Sequence, residues 1–191
     1  MRPFLTLKKF LEQDWNDCLD IGSGDGVFAE RMRDYGRHVT EIDINPRKDN
    51  SVLSGFYQDM QFSHQFNAIW ASHILEHQLN VIDFLIKIYN DLKENGWLAI
   101  TVPPMKNEIV GGHLTIWNAG LLLYNLILAG FDCKNAMIKT YDYNVSVIIS
   151  KQTIVLPTLK YDNGDIETLA EFFPPGVAKQ GFNGDIKEMN W

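Results

Sequence analysis

An acidic residue followed by three alternating glycines stands near the amino terminus, in the run Leu19-Asp-Ile-Gly-Ser-Gly-Asp-Gly26. The run joins a short apolar stretch, which predicts a strand, to a helical stretch that begins at Val27. Glycine is needed where the backbone turns sharply and a ligand approaches closely. The free N–H groups at the start of the following helix favour polar or negatively charged ligand groups. This junction therefore predicts a ligand-binding loop.

The spacing of the glycines separates two classes of ligand. Gly22, Gly24 and Gly26 form a G-x-G-x-G pattern, whereas the dinucleotide-binding pattern is G-x-G-x-x-G. Asp20 lies two positions before the first glycine, where its carboxylate can meet an ammonium group. S-adenosylmethionine has such a group and NAD lacks it. The loop therefore favours S-adenosylmethionine over a nicotinamide cofactor.

Three histidines follow predicted strands and are candidates for the chemistry of a site. His73 and His77 are spaced i and i+4 after the fourth strand, and His113 follows the fifth. Because ligands bind at the carboxyl ends of strands in open α/β sheets, all three are expected on one face. Each is a candidate general base, although His73 equally fits a pocket wall and His77 a helix cap. Their spacing also suits zinc, but no cysteine or further carboxylate joins them in sequence, so we expect no metal.

Apolar runs that alternate with helical stretches position these residues. Strands are predicted at 17–21, 38–43, 66–71 and 97–102, and strands that are apolar throughout indicate a parallel sheet covered on both faces. The last two β-rich runs are separated only by Thr140 to Tyr143, which is too short for a parallel crossover. The sheet is therefore expected to be mostly parallel, with one antiparallel strand at its end.

The chain organisation follows from helix signals and from a change in composition. An amphipathic helix is predicted after Thr6, and Asn118 is predicted to cap a strongly apolar helix that starts at Ala119. We predict one ligand-binding domain over residues 1–150. From 151 to 191 the sequence becomes loop-rich and aromatic, which predicts a tail that packs on the same domain.

Composition and charge exclude several classes of protein. The chain has 191 residues, enough for one domain with a sizeable core, and 46% of them are hydrophobic. Its formal net charge of −7 disfavours nucleic acid, which binds through neutralisation of phosphates by Lys and Arg. No window approaches the roughly 20 apolar residues that span a bilayer. Two distant cysteines and the absence of a signal-peptide pattern predict a cytoplasmic protein, either a monomer or a homodimer.

Taken in order, these motifs resemble the class I S-adenosylmethionine-dependent methyltransferases, in particular their small ubiquinone-biosynthesis-type and sugar-modifying members. The resemblance covers roughly residues 17–150. It is carried by the Asp20–Gly26 loop, by Asp43 at the end of the second strand, by the fourth-strand motif Phe66–His77, and by the turn Leu92–Leu98 into the fifth strand. It implies a Rossmann-like three-layer α/β sandwich with a mostly parallel seven-stranded sheet and one antiparallel strand near its edge.

The resemblance also implies a cofactor, S-adenosylmethionine, whose product is S-adenosylhomocysteine. In the family the glycine loop wraps the methionine part, and the acidic residue that ends the second strand holds the ribose hydroxyls. A later acidic residue, here Asp59 with Met60 beside it, binds the adenine amino group. The cofactor-binding residues implied in this way are Asp20, Gly22, Ser23, Gly24, Gly26, Asp43, Ile44, Asp59, Met60, Ala71 and Ser72.

The function implied is methyl transfer to a small-molecule or glycan-precursor acceptor. The region Gly111–Gly130 and the aromatic tail are similar to methyltransferases associated with bacterial surface polysaccharide synthesis. Two alternatives stay open at this point. An NAD-dependent oxidoreductase shares the fold and the acidic Asp43, and a non-catalytic cofactor-binding or regulatory protein retains the motifs without turnover.

Overall fold

The computed structural model describes residues 2–48 and 51–191. Its strands are β1 (Asp17–Ile21), β2 (His38–Asp43), β3 (Leu53–Ser54), β4 (Phe66–Ser72), β5 (Leu92–Val102), β6 (Met137–Tyr141), β7 (Asn144–Ser150) and β8 (Glu188–Met189). Its α-helices are α1 (Phe4–Leu11), α2 (Val27–Asp34), α3 (Val81–Asp91), α4 (Ala119–Leu128) and α5 (Asp165–Thr168). Short 3₁₀ turns occupy Tyr57–Asp59, Leu75–His77 and Ala170–Phe172.

The strands form one mixed sheet in the order β3-β2-β1-β4-β5-β7-β6-β8. Strands β1 to β5 pair in parallel, and β7 runs antiparallel to both β5 and β6, as the short 140–143 connection predicts. The predicted number of strands is wrong. Over residues 2–48 and 51–191 the sheet has eight strands, because Glu188–Met189 pairs with the free edge of β6.

The register of the parallel strands brings their carboxyl ends to a common edge. Ile21 pairs with Ile42 on one side and with Ala71 on the other, and Ser72 pairs with Thr101. The loops that follow β1, β2, β4 and β5 therefore leave the sheet side by side. In open parallel sheets this edge is where ligands bind.

Helices cover both faces of the sheet, so that alternate residues of each strand enter different cores. Leu19 and Ile69 face the larger core with α3 and α4, whereas Cys18 and Trp70 face the smaller core with α1 and α2. This two-sided burial is the reason that the strands read as continuous apolar runs. Among the described residues, no helix is long and apolar enough to cross a membrane.

The first helix begins earlier than its sequence predicts. Helix α1 starts at Phe4, and Thr6 lies buried inside it instead of capping it. The Thr6 hydroxyl donates to Ser146 Oγ at 2.7 Å and lies 2.7 Å from the Tyr141 hydroxyl. A tertiary hydrogen-bond network therefore uses the side chain that was expected to serve as the cap. Asn118 does cap α4, since its Oδ1 accepts from Leu121 N at 2.8 Å.

The tail after β7 contacts the domain through backbone as well as aromatic groups. Gly120 N donates to Gly184 O at 2.9 Å, and Thr140 N donates to Lys187 O at 2.8 Å. The rings of Phe173 and Phe182 meet edge to face at 5.6 Å. Glycine at the start of α4 makes this approach close enough for a backbone hydrogen bond.

Gly120→Ala should therefore destabilise the protein, although alanine is the better helix former. A Cβ at position 120 would lie 2.7 Å from Gly184 Cα and 2.8 Å from Phe182 Cε2. We expect a loss of about 1–3 kcal/mol in the free energy of unfolding, measured by urea denaturation. Gly111→Ala is the matched control, because a Cβ there meets nothing within 4 Å. Equal stability of the two variants would contradict the close packing of the tail.

Candidate active site

The loop after β1 adopts a conformation that requires its glycines. Gly22, Gly24 and Gly26 have φ values of +76°, +54° and +79°, a region that side chains with a Cβ adopt only with strain. The N–H groups of Gly22 and Ser23 donate to Ile42 O at 2.8 and 3.0 Å, which fastens the loop to the end of β2. The loop is thus pre-formed beside the common edge of the sheet.

Asp43 ends β2 and holds the same loop from the other side. Its Oδ2 accepts from Gly24 N at 2.8 Å, and its Oδ1 accepts from Asn45 N at 2.7 Å. Both bonds are charge-assisted, which makes them stronger than bonds between neutral groups. The carboxylate is half-buried and borders the main cleft, so it is both a support for the loop and a candidate ligand for hydroxyl groups.

Asp20 is a buried acid with an unused oxygen. Only 1% of the residue is exposed, and within the described residues its Oδ2 finds no hydrogen-bond partner. Burial, followed by the charge of Glu41, raises the pKa of Asp20 to about 8, although Arg33 and Arg47 offset part of the shift. A buried polar atom without a partner is costly, so this position suits a cationic or hydrogen-donating ligand group.

Glu41 lies beside Asp20 in the register of β1 and β2 but carries its own counter-charges. It is fully buried, and it accepts from Arg33 Nη1 at 2.7 Å and from Arg47 Nη1 at 2.5 Å. Burial acts to raise the pKa of Glu41, but the hydrogen bonds from the two arginines outweigh it and hold that pKa below its ordinary value. A Cβ at Gly26 would overlap the Arg47 guanidinium, so the glycine makes room for this ion pair.

A cleft of about 140 Å³ opens next to the glycine loop. Of the residues predicted to bind the cofactor, Gly22, Asp43 and Ile44 line it, together with His77. Its remaining walls are Ile21, Ile42, Gly55, Phe56, Tyr57, Gln58, Ile74, Gln78 and Phe84. The cleft therefore joins the loops after β1, β2, β3 and β4.

Two residues predicted to contact adenine lie outside this lining. Asp59 is exposed on the 3₁₀ turn, and Met60 packs partly buried against the core beside another surface hollow. Gln58, one position earlier, borders the cleft instead. The adenine contact of Asp59 and Met60 stays a prediction.

The end of β4 carries the first of the three histidines. Ala71 is buried in the sheet, Ser72 is half-buried, and His73 follows with a φ of +53°. Such a conformation costs about 1–3 kcal/mol in a residue that is not glycine, and it persists only where its surroundings enforce it. Here His73 N donates to Thr101 O at 2.8 Å and turns the side chain away from the strand.

The His73 ring is held on three sides. Its Nδ1 lies 3.3 Å from Glu76 Oε1, its Nε2 lies 3.0 Å from Asn144 Oδ1, and its ring stacks on Tyr143 with centroids 6.1 Å apart. Burial acts to lower the pKa of His73, but the hydrogen bonds to Glu76 and Asn144 outweigh it and raise that pKa above its ordinary value. Because both ring nitrogens are engaged, His73 is better suited to positioning its neighbours than to receiving a proton.

His77 and His113 are brought together although they are distant in sequence. Their rings meet edge to face with centroids 5.0 Å apart, and His77 Nδ1 lies 2.7 Å from Gly112 O. Glu76 Oε1 lies 3.9 Å from His77 Nε2 and 3.3 Å from His73 Nδ1. Glu76 thus lies between His73 and the other two histidines.

A second cavity adjoins the histidines on the side away from the main cleft. It has a volume of about 50 Å³ and is lined by His113 and Tyr143, with Lys106 Nζ lying 4.9 Å from the Tyr143 ring centroid. The other lining residues are Pro103, Pro104, Glu108, Ile109, Val110, Thr115 and Ile116. The histidines therefore lie between a cleft beside the glycine loop and a mixed polar and apolar cavity after β5.

The family of methyltransferase domains matches residues 3–120, which is more than half of the chain. The chain belongs to this family. The match spans the glycine loop, Asp43 and the fourth-strand motif, and it confirms the resemblance drawn from the sequence. Membership of a methyltransferase family disfavours the nicotinamide oxidoreductase that the glycine loop alone left open.

One curated relative of this methyltransferase domain is distant in sequence. The mitochondrial ubiquinone biosynthesis O-methyltransferase of Schizosaccharomyces pombe is 28% identical in an alignment of 99 positions, and the match covers 44% of this chain and 36% of that protein. The chain thus matches about a third of that relative's length.

Two solved structures share the fold. The 1,6-didemethyltoxoflavin-N1-methyltransferase of Burkholderia thailandensis, solved with 1,6-didemethyltoxoflavin and S-adenosylhomocysteine, superposes with a TM-score of 0.65 at 16% identity, covering 78% of this chain and 76% of that one. A SAM dependent methyltransferase from Archaeoglobus fulgidus gives a TM-score of 0.61 at 16% identity, covering 80% and 95%. At these identities the likeness establishes the fold of the domain.

Sequence reasoning missed two acidic residues of this methyltransferase domain. Glu41 had a usable signal, because it is a charged residue in the interior of the predicted strand 38–43, next to the apolar Ile42. Its partners Arg33 and Arg47 lie on separate segments and have no shared motif. Glu76 adjoins His77 in the sequence, yet nothing there indicates that its carboxylate is buried.

The raised pKa of Asp20 predicts a pH dependence of stability in the absence of ligand. The folded protein holds this proton up to pH about 8, whereas the unfolded chain releases it near the ordinary value of 3.8. The free energy of unfolding should therefore fall as pH rises through this window and level off above it. Asp20→Asn removes that fall, so its stability relative to the wild type should increase between pH 5 and pH 8.5.

Thermal unfolding at several pH values measures this difference. Asp34→Asn, an exposed acid at the end of α2, is the control and should follow the wild type. Wild-type and Asp20→Asn curves that run parallel over the whole range would show that Asp20 is ionised in the folded protein.

Proposed function

We propose that this chain transfers a methyl group from S-adenosylmethionine to a small-molecule acceptor and releases S-adenosylhomocysteine. The observation that carries the proposal is Asp20, a buried carboxyl with an unpartnered oxygen beside a loop of left-handed glycines. The ammonium group of the methionine part would supply the missing partner. NAD has no such group, so the unpartnered Asp20 oxygen disfavours it.

The surroundings of the cleft support the rest of the cofactor site. The loop of Gly22, Ser23, Gly24 and Gly26 offers backbone next to the start of α2, where the helix dipole favours a carboxylate. Asp43 borders the cleft as a candidate ligand for the ribose hydroxyls. The apolar side chains of Ile44, Phe56 and Ile74 provide surface for a flat ring, and Asp59, Met60, Ala71 and Ser72 remain predicted contacts.

Methyl transfer depends mainly on alignment. S-adenosylmethionine supplies a methyl group that is activated by its sulfonium. The residues of the chain have to hold the acceptor in line with that group, and proximity of this kind contributes roughly 7–11 kcal/mol to lowering the barrier. The loops after β1 and β2 would hold the cofactor, and those after β4 and β5 would hold the acceptor.

The cavity after β5 is the proposed acceptor site. The Tyr143 ring offers a flat face, and Lys106, Glu108 and Thr115 offer polar groups around it. This combination suits a polyhydroxylated ring, so we propose a glycan precursor, as in bacterial surface polysaccharide synthesis. A cytoplasmic location belongs to the same proposal and is supported by Cys18 and Cys133, which are both buried free thiols.

The histidines assist in removing the proton of the acceptor. His113 borders the acceptor cavity and His77 borders the cofactor cleft, so the pair spans the boundary at which the methyl group would pass. His73 acts as a positioning residue through Glu76. For a hydroxyl acceptor, such assistance contributes about 10²–10⁴-fold to the rate.

Calorimetric titration with S-adenosylhomocysteine tests the cofactor assignment. Binding should be on the order of micromolar, about −8 kcal/mol, and Asp20→Ala should abolish it because the ammonium loses its partner. Asp34→Asn, outside the site, should bind as the wild type does. No binding by a folded wild-type protein would contradict the proposed function.

Turnover of the histidine variants tests the acceptor side. With labelled S-adenosylmethionine and a panel of sugar and metabolite acceptors, His113→Ala should lower kcat about 10²-fold or more while leaving affinity for S-adenosylhomocysteine unchanged. His38→Ala, an exposed histidine at the start of β2, is the matched control. Unchanged turnover in both His113→Ala and His77→Ala would refute proton removal by this pair. Cofactor binding with no transfer to any acceptor would instead support the non-catalytic alternative.

A further inference from the structure

Glu76 is a buried carboxylate whose neighbours are imidazole rings. Only 1% of the residue is exposed, and across residues 2–48 and 51–191 neither of its side-chain oxygens makes a hydrogen bond of good geometry. The nearest cationic or donor groups are His73 Nδ1 at 3.3 Å and His77 Nε2 at 3.9 Å. Burying an ionised carboxylate in this way is expensive unless a positive charge compensates it.

Two imidazoles converge on this carboxylate. One ligand atom each from Glu76, His77 and His113 lies within 4.8 Å of the others. Two histidine nitrogens and one carboxylate oxygen form a ligand set that zinc accepts at sites with an open fourth position. We propose that Glu76, His77 and His113 bind one divalent zinc ion at the boundary between the two cavities. The spacing of the histidines raised zinc as an alternative, but nothing in the sequence indicates that Glu76 is buried between them and completes a ligand set.

The His77 ring has the orientation of a metal-binding histidine, with one ring nitrogen hydrogen-bonded to a backbone carbonyl. Its Nδ1 lies 2.7 Å from the backbone oxygen of Gly112, so the Nδ1–H donates there and the Nε2 lone pair is left facing Glu76. Histidines that bind metals donate their other N–H to a carbonyl or carboxylate in the same manner.

The loop that carries His113 is docked on the turn that carries Glu76. Leu114 N donates to Glu76 O at 2.7 Å, and His113 N donates to Val110 O at 3.1 Å. Gly112 has a φ of +81°, and a Cβ there would approach the His77 ring at 3.2 Å. The backbone therefore brings His113 to His77 independently of any ligand.

Filling the site needs only a small contraction. Two atoms bound to one zinc ion lie no more than about 4.2 Å apart, which is the sum of two bond lengths. The two histidines are more exposed than Glu76, so rotation of their rings can supply this contraction, whereas the buried glutamate provides the fixed ligand.

The position of the ion suggests what it does. His77 lines the cofactor cleft and His113 lines the acceptor cavity, so the open coordination position lies where the acceptor would present its hydroxyl. A bound divalent ion lowers the pKa of an oxygen acid that it contacts. This role in the reaction rests on the proposed function, but zinc binding itself does not.

Titration of the EDTA-treated full chain with Zn²⁺ tests the site. Calorimetry should show one ion per chain with a dissociation constant on the order of 1 μM or below. Both Glu76→Gln and His113→Ala should weaken binding more than about tenfold, because even outer-shell partners of metal ligands contribute about 10–100-fold. His38→Ala should bind as the wild type does. Co²⁺ in place of Zn²⁺ should give the visible absorption of a site with few ligands, lost in His113→Ala.

Three outcomes would overturn the site: no binding by the wild type, equal binding by His113→Ala, or an equal loss in His38→Ala. If the wild type binds no zinc, the charge of protonated His73 compensates the Glu76 carboxylate instead. If Glu76→Gln fails to fold, His113→Ala still tests the site, because His113 is partly exposed and its replacement disturbs the core less. S-adenosylhomocysteine titrations separate this inference from the proposed function, because zinc binding without cofactor binding would refute the function and leave the metal site standing.

Discussion

A cluster of acidic residues at one edge of a parallel sheet is the constraint on which this structure depends. Asp20 and Glu41 are neighbours in the register of β1 and β2, and Asp43 follows at the end of β2. Each buried carboxylate has to be compensated, because the cost of an unpaired charge in the interior is several kcal/mol. Glu41 is compensated by two arginines and Asp43 by two backbone N–H groups. Within the part of the chain that the structure describes, Asp20 Oδ2 and the Glu76 carboxylate oxygens lack hydrogen bonds of good geometry, and these are the two positions at which we infer ligands.

The apolar packing makes this concentration of charge possible. Helices on both faces bury the central strands β1 and β4 almost completely, which favours a single parallel register. The glycine loop then closes against Ile42, and the 110–114 turn closes against Glu76, each through backbone hydrogen bonds. The side chains of the site are therefore held by main-chain contacts, which do not depend on a ligand. Such preorganisation is what a positioning enzyme needs.

Local chemistry made much of this architecture predictable from the sequence. The left-handed glycines, Asp43 at a strand end, the Asn118 cap and the antiparallel final hairpin all follow from interactions between residues close in the chain. The features that were not predicted depend on distant pairs. Thr6 hydrogen-bonds to Ser146 and Tyr141, and Glu41 forms an ion pair with Arg47. Glu188–Met189 pairs as an added strand with β6. Gly112 and His113 reach Glu76 and His77 only because the loop after β5 folds back, and no periodicity in the sequence indicates that return.

The central claim is that Asp20 holds a proton until an ammonium group arrives. Proton release on binding of S-adenosylhomocysteine tests it most directly, by calorimetry at about pH 6.5 in buffers of different ionisation enthalpy, where the ligand's amino group stays protonated. With a pKa of about 8 in the free protein, Asp20 starts protonated and must ionise to pair with the ligand. The account predicts that close to one proton leaves for each ligand bound and that Asp20→Asn releases none. Binding without proton release in the wild type would contradict it.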